Sequence, residues 1–474
     1  MNLIQKVIDP KFPAYVYAAK PKVPVFENIK GHKMIANLFM GEWMKILDES
    51  IHEKGRLHVR YRGGNGYVHS NDVTRFRCLE VYFIDVNQGD SILIQTPDDR
   101  RVLIDGGEGD EAHTFIRNKY NLHARDNYID FEAIVATHSD LDHTKGLISI
   151  LKDPKIAVKR FFHNGLFRRR DKNVDPGPVE GSRIYGIVNR PSLTEKPELA
   201  PLMKKVILAI EEAEKRMPEV IAKMKKIERW KNRIELPRGG FVFKRLDAAD
   251  KFLPPYDQNN KYMTIEVLWP AAEKKNGHLS YPNYGDQKNP GKTVNGNSIV
   301  LCLKHGPHRI LLTGDLNQKS MDDLVKYYSR DKTNPSTILG AEVYKAAHHG
   351  SQDFSLNFLK TIRPNAAVIS SGDNRQDVHG HPRAVLLGTI TRYSRNPTPA
   401  VFSTELAACY TPKHLTKEEQ KSIRDGTGQV YEKSIEGIVH LRSDEKQLFL
   451  GTVHGRKPLE DPQANTLWKW DIWP

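Results

Sequence analysis

The stretch Thr137–Gly146, THSDLDHTKG, decides how this chain is read. It sets two histidines and two aspartates within six residues, His138 to His143, directly after the apolar run FEAIVA. A buried strand that stops and releases side chains into a turn can aim them at one point. His138 and Asp140 alternate onto one side, and Asp142 and His143 follow into a helix start. Imidazole and carboxylate together suit zinc, manganese and similar divalent cations. Two other apolar runs end the same way: LLTGD delivers Asp315, and YKAAHHGS delivers His348 and His349. The carboxyl ends of strands are where an α/β sheet builds its site. A lone histidine there would be a structural residue, but this many candidates at three strand ends imply a metal centre. Either His348 or His349 can be the ligand.

Around these tips the chain has the rhythm of strands and helices. LEVYFIDV, DSILIQT and RVLIDGG read as buried strands, followed by a short helix in EAHTFIRNKYN and the strand FEAIVAT. After a break the rhythm returns with YMTIEVLW, NSIVLCLK, RILLTGD, EVYKAAHHG and AAVISSGD. PAVFST and the hairpin EGIVHLRSDEKQLFLGTV close it. Two βαβ-rich halves suit two sheets sandwiched between helices, an α/β class. Between them, residues 155–262 hold a basic loop and a helical segment, ELAPLMKKVILAIEEAEKRM, whose apolar stripe packs on the body. Pro218 is expected to interrupt that helix.

The 474 residues allow two or three domains and a large core. The three cysteines fit neither a disulfide framework nor a paired-cysteine metal site. No apolar run approaches the ~20 residues that span a bilayer. The N-terminus lacks the layout of a signal peptide. A cytoplasmic protein without a membrane partner is the expectation.

The net charge is +14, and residues 155–240 hold 21 Lys/Arg against 11 Asp/Glu. The dense part, KRFFHNGLFRRRDK, offers Lys159, Arg160, Arg168, Arg169 and Arg170 as phosphate contacts, interleaved with aromatic residues that can stack on bases. The competing reading is a solvated basic face. Adjacency to the 138–143 motif favours DNA or another nucleic acid as partner.

HSDLDH resembles the HxHxDH signature of the metallo-β-lactamase fold, with Asp140 in place of the second histidine. More specifically, FIDVNQGDSILIQTPDDRRVLIDGG, ATHSDLDHTKG, NSIVLCLKHGPHRILLTGDL, KAAHHGSQDFSLNFL and AVISSGDNRQDVHGHP resemble the soluble hydrolase domain of ComEC-type DNA-uptake proteins. The resemblance spans about residues 79–455 apart from the insertion. It implies an αββα sandwich over 78–456 and a metal-dependent phosphodiesterase or nuclease with two divalent ions, manganese or zinc. Carried over, His138 and Asp140 would hold one ion, and Asp142, His143 and His348 or His349 the other. Asp315 would bridge them, and Asp105 of LIDGG would orient ligands from beneath. The wider fold has a further histidine before the bridging aspartate, where this chain has Asn295 and Asn297. The first ion is therefore expected to bind weakly.

Asp142 would direct the attacking water. His381 of the GHP motif, or Lys145, would offset charge at phosphorus or protonate the leaving oxygen. Ser351 and Asn374 are expected to line the site.

Ahead of this domain, residues 1–77 read as a small all-β barrel. GEWMKIL, the hairpin RLHVRYRGGNGYV and its closing GYV resemble a bacterial Src-homology-3-like module. Such a module implies a protein partner. Residues 457–474 form a C-terminal tail. Two rivals to a DNA nuclease stay open: the same chemistry on a small ester or phosphodiester, and a regulatory scaffold with a degenerate metal site.

Overall fold

The computed structural model describes residues 15–453 except 53–54, 62–63, 170–175, 192–198, 228–229, 231–233, 235, 276, 287, 331–333, 373–379, 410–415, 419–420 and 422–430. Arg170, Asn374, His379 and the expected tail lie outside the described residues.

Two sheets face one another. The first has eight strands, in the order Val242–Arg245, Arg160–His163, Ala133–Ala136, Arg101–Ile104, Ile92–Gln95, Leu79–Phe83, Ile438–Ser443 and Leu448–Val453. The second has six: Thr264–Trp269, Val300–His305, His308–Leu312, Val343–Lys345, Ala366–Ile369 and Ala400–Ser403. Their central strands are buried on both faces, and alternate residues serve different layers. Val81, Phe83, Ile92, Ile94 and Val135 of one sheet meet Ile265, Val267, Leu301, Leu303 and Leu312 of the other. On the outer side of the first sheet, Leu93, Leu103, Ile134 and Phe161 pack on Ile116, Leu147, Ile150, Ile207 and Ile210 from helices. Beyond the second sheet, Leu311, Tyr344, Ala367 and Ile369 pack on Met321, Leu324, Phe358 and Ile390. The expected helix–sheet–sheet–helix layering is what forms.

The segment read as a basic insertion is partly core. Arg160–His163 pairs in parallel with Ala133–Ala136, and Val242–Arg245 pairs beyond it. Phe161 and Phe162 are fully buried, so they do not stack on bases. The alternation in RFFH is that of a strand with apolar neighbours on both faces. The helix Pro201–Lys225 runs through Pro218 unbroken. Buried residues Met217, Val220, Ile221 and Met224 beyond the proline keep it packed, so tertiary contacts outweigh the lost hydrogen bond. Among the described residues no helix is long and apolar enough to cross a membrane.

The N-terminal part is an antiparallel sheet of seven strands around its own core of Val16, Val23, Val25, Leu38, Met44, Leu57, Val59 and Val68. Met34–Phe39 and Val73–Thr74 stand at its two ends, and no ladder joins them among the described residues. Strand pairing therefore does not by itself close the expected barrel. Arg442 of the main sheet donates to the carbonyl of Met40 at 2.9 Å, tying this sheet to the sandwich.

Glycine sets how closely the strand tips approach the first turn of the motif. At Gly146 a Cβ would lie 2.0 Å from the Gly106 carbonyl oxygen, although its φ of −65° suits any residue. Gly146→Ala should thus destabilise through contact alone, by about 1–3 kcal/mol in chemical denaturation. An unchanged midpoint would show that this approach is not a constraint.

Candidate metal centre

The strand Ala133–Ala136 ends at Thr137 and His138, and Asp140 precedes the short helix Leu141–Thr144. Asp105, just past Arg101–Ile104, has a left-handed φ of 58°. Its carboxylate accepts from the Thr137 backbone N–H at 2.7 Å, from the Thr137 hydroxyl at 2.7 Å, and meets His143 Nδ1 at 2.8 Å. His348 and His349, past Val343–Lys345, are consecutive left-handed residues with φ of 52° and 53°. Such backbone is costly for non-glycine residues and marks a site whose surroundings hold it in place.

The outcome is convergence. Each of three histidines is anchored through Nδ1: His143 on Asp105, His349 on the Ser370 carbonyl at 3.0 Å, and His138 on Thr137 and Ser298 hydroxyls at 3.1 and 3.3 Å. Their Nε2 atoms turn inward. His349 Nε2 stands 3.2 Å from Asp142 Oδ2, 3.2 Å from Asp315 Oδ2 and 3.3 Å from His143 Nε2. His143 Nε2 stands 3.4 Å from Asp315 Oδ1, and His138 Nε2 stands 3.9 Å from Asp315 Oδ2. Anchoring one ring nitrogen to free the other is the usual device of a metal-binding histidine.

The residues fit a metal ion on a second count. His138 Nε2 and Asp315 Oδ1 are buried without a hydrogen-bond partner. Buried polar atoms without partners are costly, and a cation would satisfy both. His143 with His138 and Asp315, and His143 with Asp142 and His349, form two overlapping sets of metal-type ligands.

Electrostatics follow the geometry. Burial opposes the charged form of His143, yet the Asp315, Asp105 and Asp142 carboxylates hold it well above the ordinary histidine value. Burial likewise opposes His349, and Asp315 with Asp142 raises it well above normal. His138 is pushed well down, by burial first and then by His143. Burial works against ionised Asp315, but His349 and His143 keep it well below the carboxylate range. Asp142 is lowered in the same way by His143 and His349. Asp140 moves the other way: burial raises it to about 6 despite Arg168 beside it.

Other sequence candidates fall differently. His348 is half-buried, and its ring lies 5.7 Å from that of His381, which itself sits 6.4 Å from His349. His349 is thus the member of the pair inside the cluster. Lys145 is exposed, with its Nζ 3.4 Å from Glu108 Oε1. Ser351 Oγ accepts from the Asp353 N–H at 3.2 Å. Lys159 is not a surface cation: it is buried between Asp130 and Glu132 at 2.8 and 2.9 Å, and Arg160 also pairs with Glu132. These ion pairs compensate charge in a strand that the sheet swallowed. Arg168 points to Asp140, with Nε 2.9 Å from Oδ1, and Arg169 donates to the Gly186 carbonyl at 3.3 Å.

Sequence reasoning missed Asp90 and Lys345. Lys345 is fully buried and donates to Asp90, whose Oδ1 lies 3.6 Å from His349 Nδ1. A lysine inside the apolar run EVYKAA was the available signal, because a buried ammonium needs a buried partner.

With this geometry in place, residues 84–180 match the model of the Metallo-beta-lactamase superfamily. The matched span, about a fifth of the chain, includes Asp105 and the whole of the 138–143 motif. The converging His and Asp set is of the kind that suits a divalent metal ion. The chain is 30% identical over 101 residues to ComE operon protein 3 of Bacillus subtilis, a match covering 21% of this chain and 12% of that protein. It is 38% identical over 79 residues to competence protein ComA of Neisseria gonorrhoeae, covering 16% of this chain and 10% of that protein. The chain thus spans about a tenth of the length of these relatives. Among solved structures, Igni18, a metallo hydrolase of Ignicoccus hospitalis, aligns over 76% of this chain and 98% of its own, with 10% identity and a TM-score of 0.28.

Two outcomes are expected. Lys345→Met leaves Asp90 buried and unpaired beside His349, and should cost about 3–5 kcal/mol of stability; denaturant unfolding measures it. Metal affinity should rise with pH through neutrality and above. The raised His143 and His349 hold protons that an arriving ion must displace, and the protonated fraction grows as pH falls. Calorimetric titration with Zn(II) in buffers of different protonation enthalpy should therefore give buffer-dependent heats, and identical heats would contradict it.

Proposed function

We propose that the protein is a metal-dependent hydrolase that cleaves phosphodiester bonds, with DNA as its substrate. The observation that carries this is the gathering at three strand tips of Asp142, His143 and Asp315 around His349 Nε2 at 3.2–3.3 Å, with His143 Nε2 3.4 Å from Asp315 Oδ1. The superfamily match supports metal-dependent hydrolysis. DNA is supported by the resemblance to ComEC-type hydrolase domains, with which the short matches to ComE operon protein 3 and to competence protein ComA agree.

Bound divalent ions supply Lewis acidity and lower the pKa of water at the site. The chain's own residues do the rest. Asp142, kept ionised by His143 and His349, would hold the attacking hydroxide toward phosphorus, the water's proton having passed to solvent once its pKa is lowered at the site. As the new phosphorus–oxygen bond forms, the bond to the leaving oxygen breaks. His381, beside His348, donates the proton that the leaving oxygen needs. Asp105 and Ser370 hold the histidines so that little reorganisation is needed.

The proposal includes a cytoplasmic setting and a protein partner for the N-terminal Src-homology-3-like sheet. The exposed Met34, Ile35 and Phe39 on its edge strand support the latter.

One observation favours a second reading, a small ester or phosphodiester as substrate. Lys159, Arg160, Phe161 and Phe162 turn inward, which strips the expected basic-aromatic surface of four members. One assay separates the two. With Mn(II) or Zn(II), the purified protein should cleave linear and circular DNA, and Asp142→Ala/His143→Ala should abolish cleavage. Turnover of bis(p-nitrophenyl) phosphate with intact DNA would select the small substrate. No turnover of either would refute phosphodiester hydrolysis.

A further inference from the structure

The two halves of the centre are furnished unequally. The half around His349 brings Asp142 Oδ2, His143 Nε2 and both oxygens of Asp315 within 3.2–3.4 Å contacts. The half around His138 has His138 Nε2, the shared Asp315 and Asp140, whose Oδ2 is 3.9 Å from His138 Nε2.

Asp140 is already engaged. Its Oδ1 accepts from Arg168 Nε at 2.9 Å. Its Oδ2 lies 3.2 Å from the Asn295 amide nitrogen, in the amide orientation that also satisfies the Gly291 carbonyl at 3.0 Å. Asn297 is turned elsewhere and donates to the carbonyls of Pro282 and Thr293 at 3.0 and 2.8 Å. Both asparagines thus spend their amide nitrogens on protein acceptors, and Asn295 braces Asp140. Arg168 arrives from the loop after Arg160–His163, so the chain itself delivers a guanidinium to the carboxylate of this half.

Charge favours the same division. Three carboxylates, Asp140, Asp142 and Asp315, face the centre among these contacts. One divalent ion and one guanidinium balance these three, while Asp105 stands behind His143 as its hydrogen-bond partner. A second divalent ion would leave surplus positive charge in a buried site, which is unfavourable without an added anion.

Resting on the metal-dependent reading above, we propose that Arg168 stands in for the second cation, so that the resting protein holds one divalent ion tightly, at Asp142, His143, Asp315 and His349. Arg168 is then a positioning residue for Asp140 and a fixed positive charge beside the ion. Its planar fork suits an anionic oxygen of the substrate as well as a carboxylate.

The test is metal stoichiometry on the full chain. Mn(II) is titrated calorimetrically, and electron paramagnetic resonance distinguishes isolated from spin-coupled ions. Wild type should bind a single equivalent tightly and show an isolated-ion spectrum. Arg168→Met, which keeps the apolar stem and removes the charge, should tighten a second equivalent by about tenfold or more and show a coupled pair, as release of a half-buried charge-assisted contact allows. Arg168→Lys should behave as wild type. Asp140→Asn should leave the tight ion's affinity within a few-fold, and it serves if Arg168→Met does not fold. Two equally tight ions in wild type, a second site in Arg168→Met as weak as before, or loss of the tight ion in Asp140→Asn would each overturn the role of Arg168. No Mn(II) or Zn(II) binding by wild type would instead overturn the metal-dependent reading itself.

Discussion

The structure depends on the cost of burying Asp315. This carboxylate lies at the end of a core strand, shielded from water, and its charge must be met by something nearby. His143, His349 and His138 are what the fold brings to it. Those histidines are in turn held by groups beneath them, Asp105, Ser370, Thr137 and Ser298. The left-handed backbone at His348 and His349 is tolerated in a turn held between the core strand Val343–Lys345 and the helix Leu356–Ile362.

The same constraint runs outward into the core. Asp90 faces His349 from one side and Lys345 from another, so a fully buried lysine belongs to the support of the centre rather than to any surface. Asp130, Glu132, Lys159, Arg160 and Arg101 form a separate buried ionic group near the far end of the first sheet. Both groups keep charge inside the sandwich only because every member has a partner. They explain why a chain with a net charge of +14 presents fewer free cations than its composition suggests.

Much of the fold was legible because buried strands advertise themselves. The apolar runs LEVYFIDV, NSIVLCLK and RILLTGD read as strands and are strands, since their two-faced burial leaves little else that such runs can do. The helix at Pro201–Lys225 was legible in its stripe but not in its continuity through Pro218, because packing beyond the proline has no local signature. KRFFH misled for the same reason. Basic and aromatic residues side by side suit nucleic acid, and they suit equally a core strand whose cations are paired from across the sheet.

Sequence alone determined which side chains were available at the strand tips and that their chemistry was that of metal ligands. Periodicity and residue type are local properties, and they place His138, Asp142, His143 and Asp315 at the ends of buried elements. Only the tertiary structure decided which tips meet: that His349 rather than His348 enters the cluster, that Asp90 and Lys345 stand behind it, and that Arg168 reaches Asp140. Each of those choices is a contact between residues far apart in the chain, or a turn direction set by such contacts, and no local pattern encodes it.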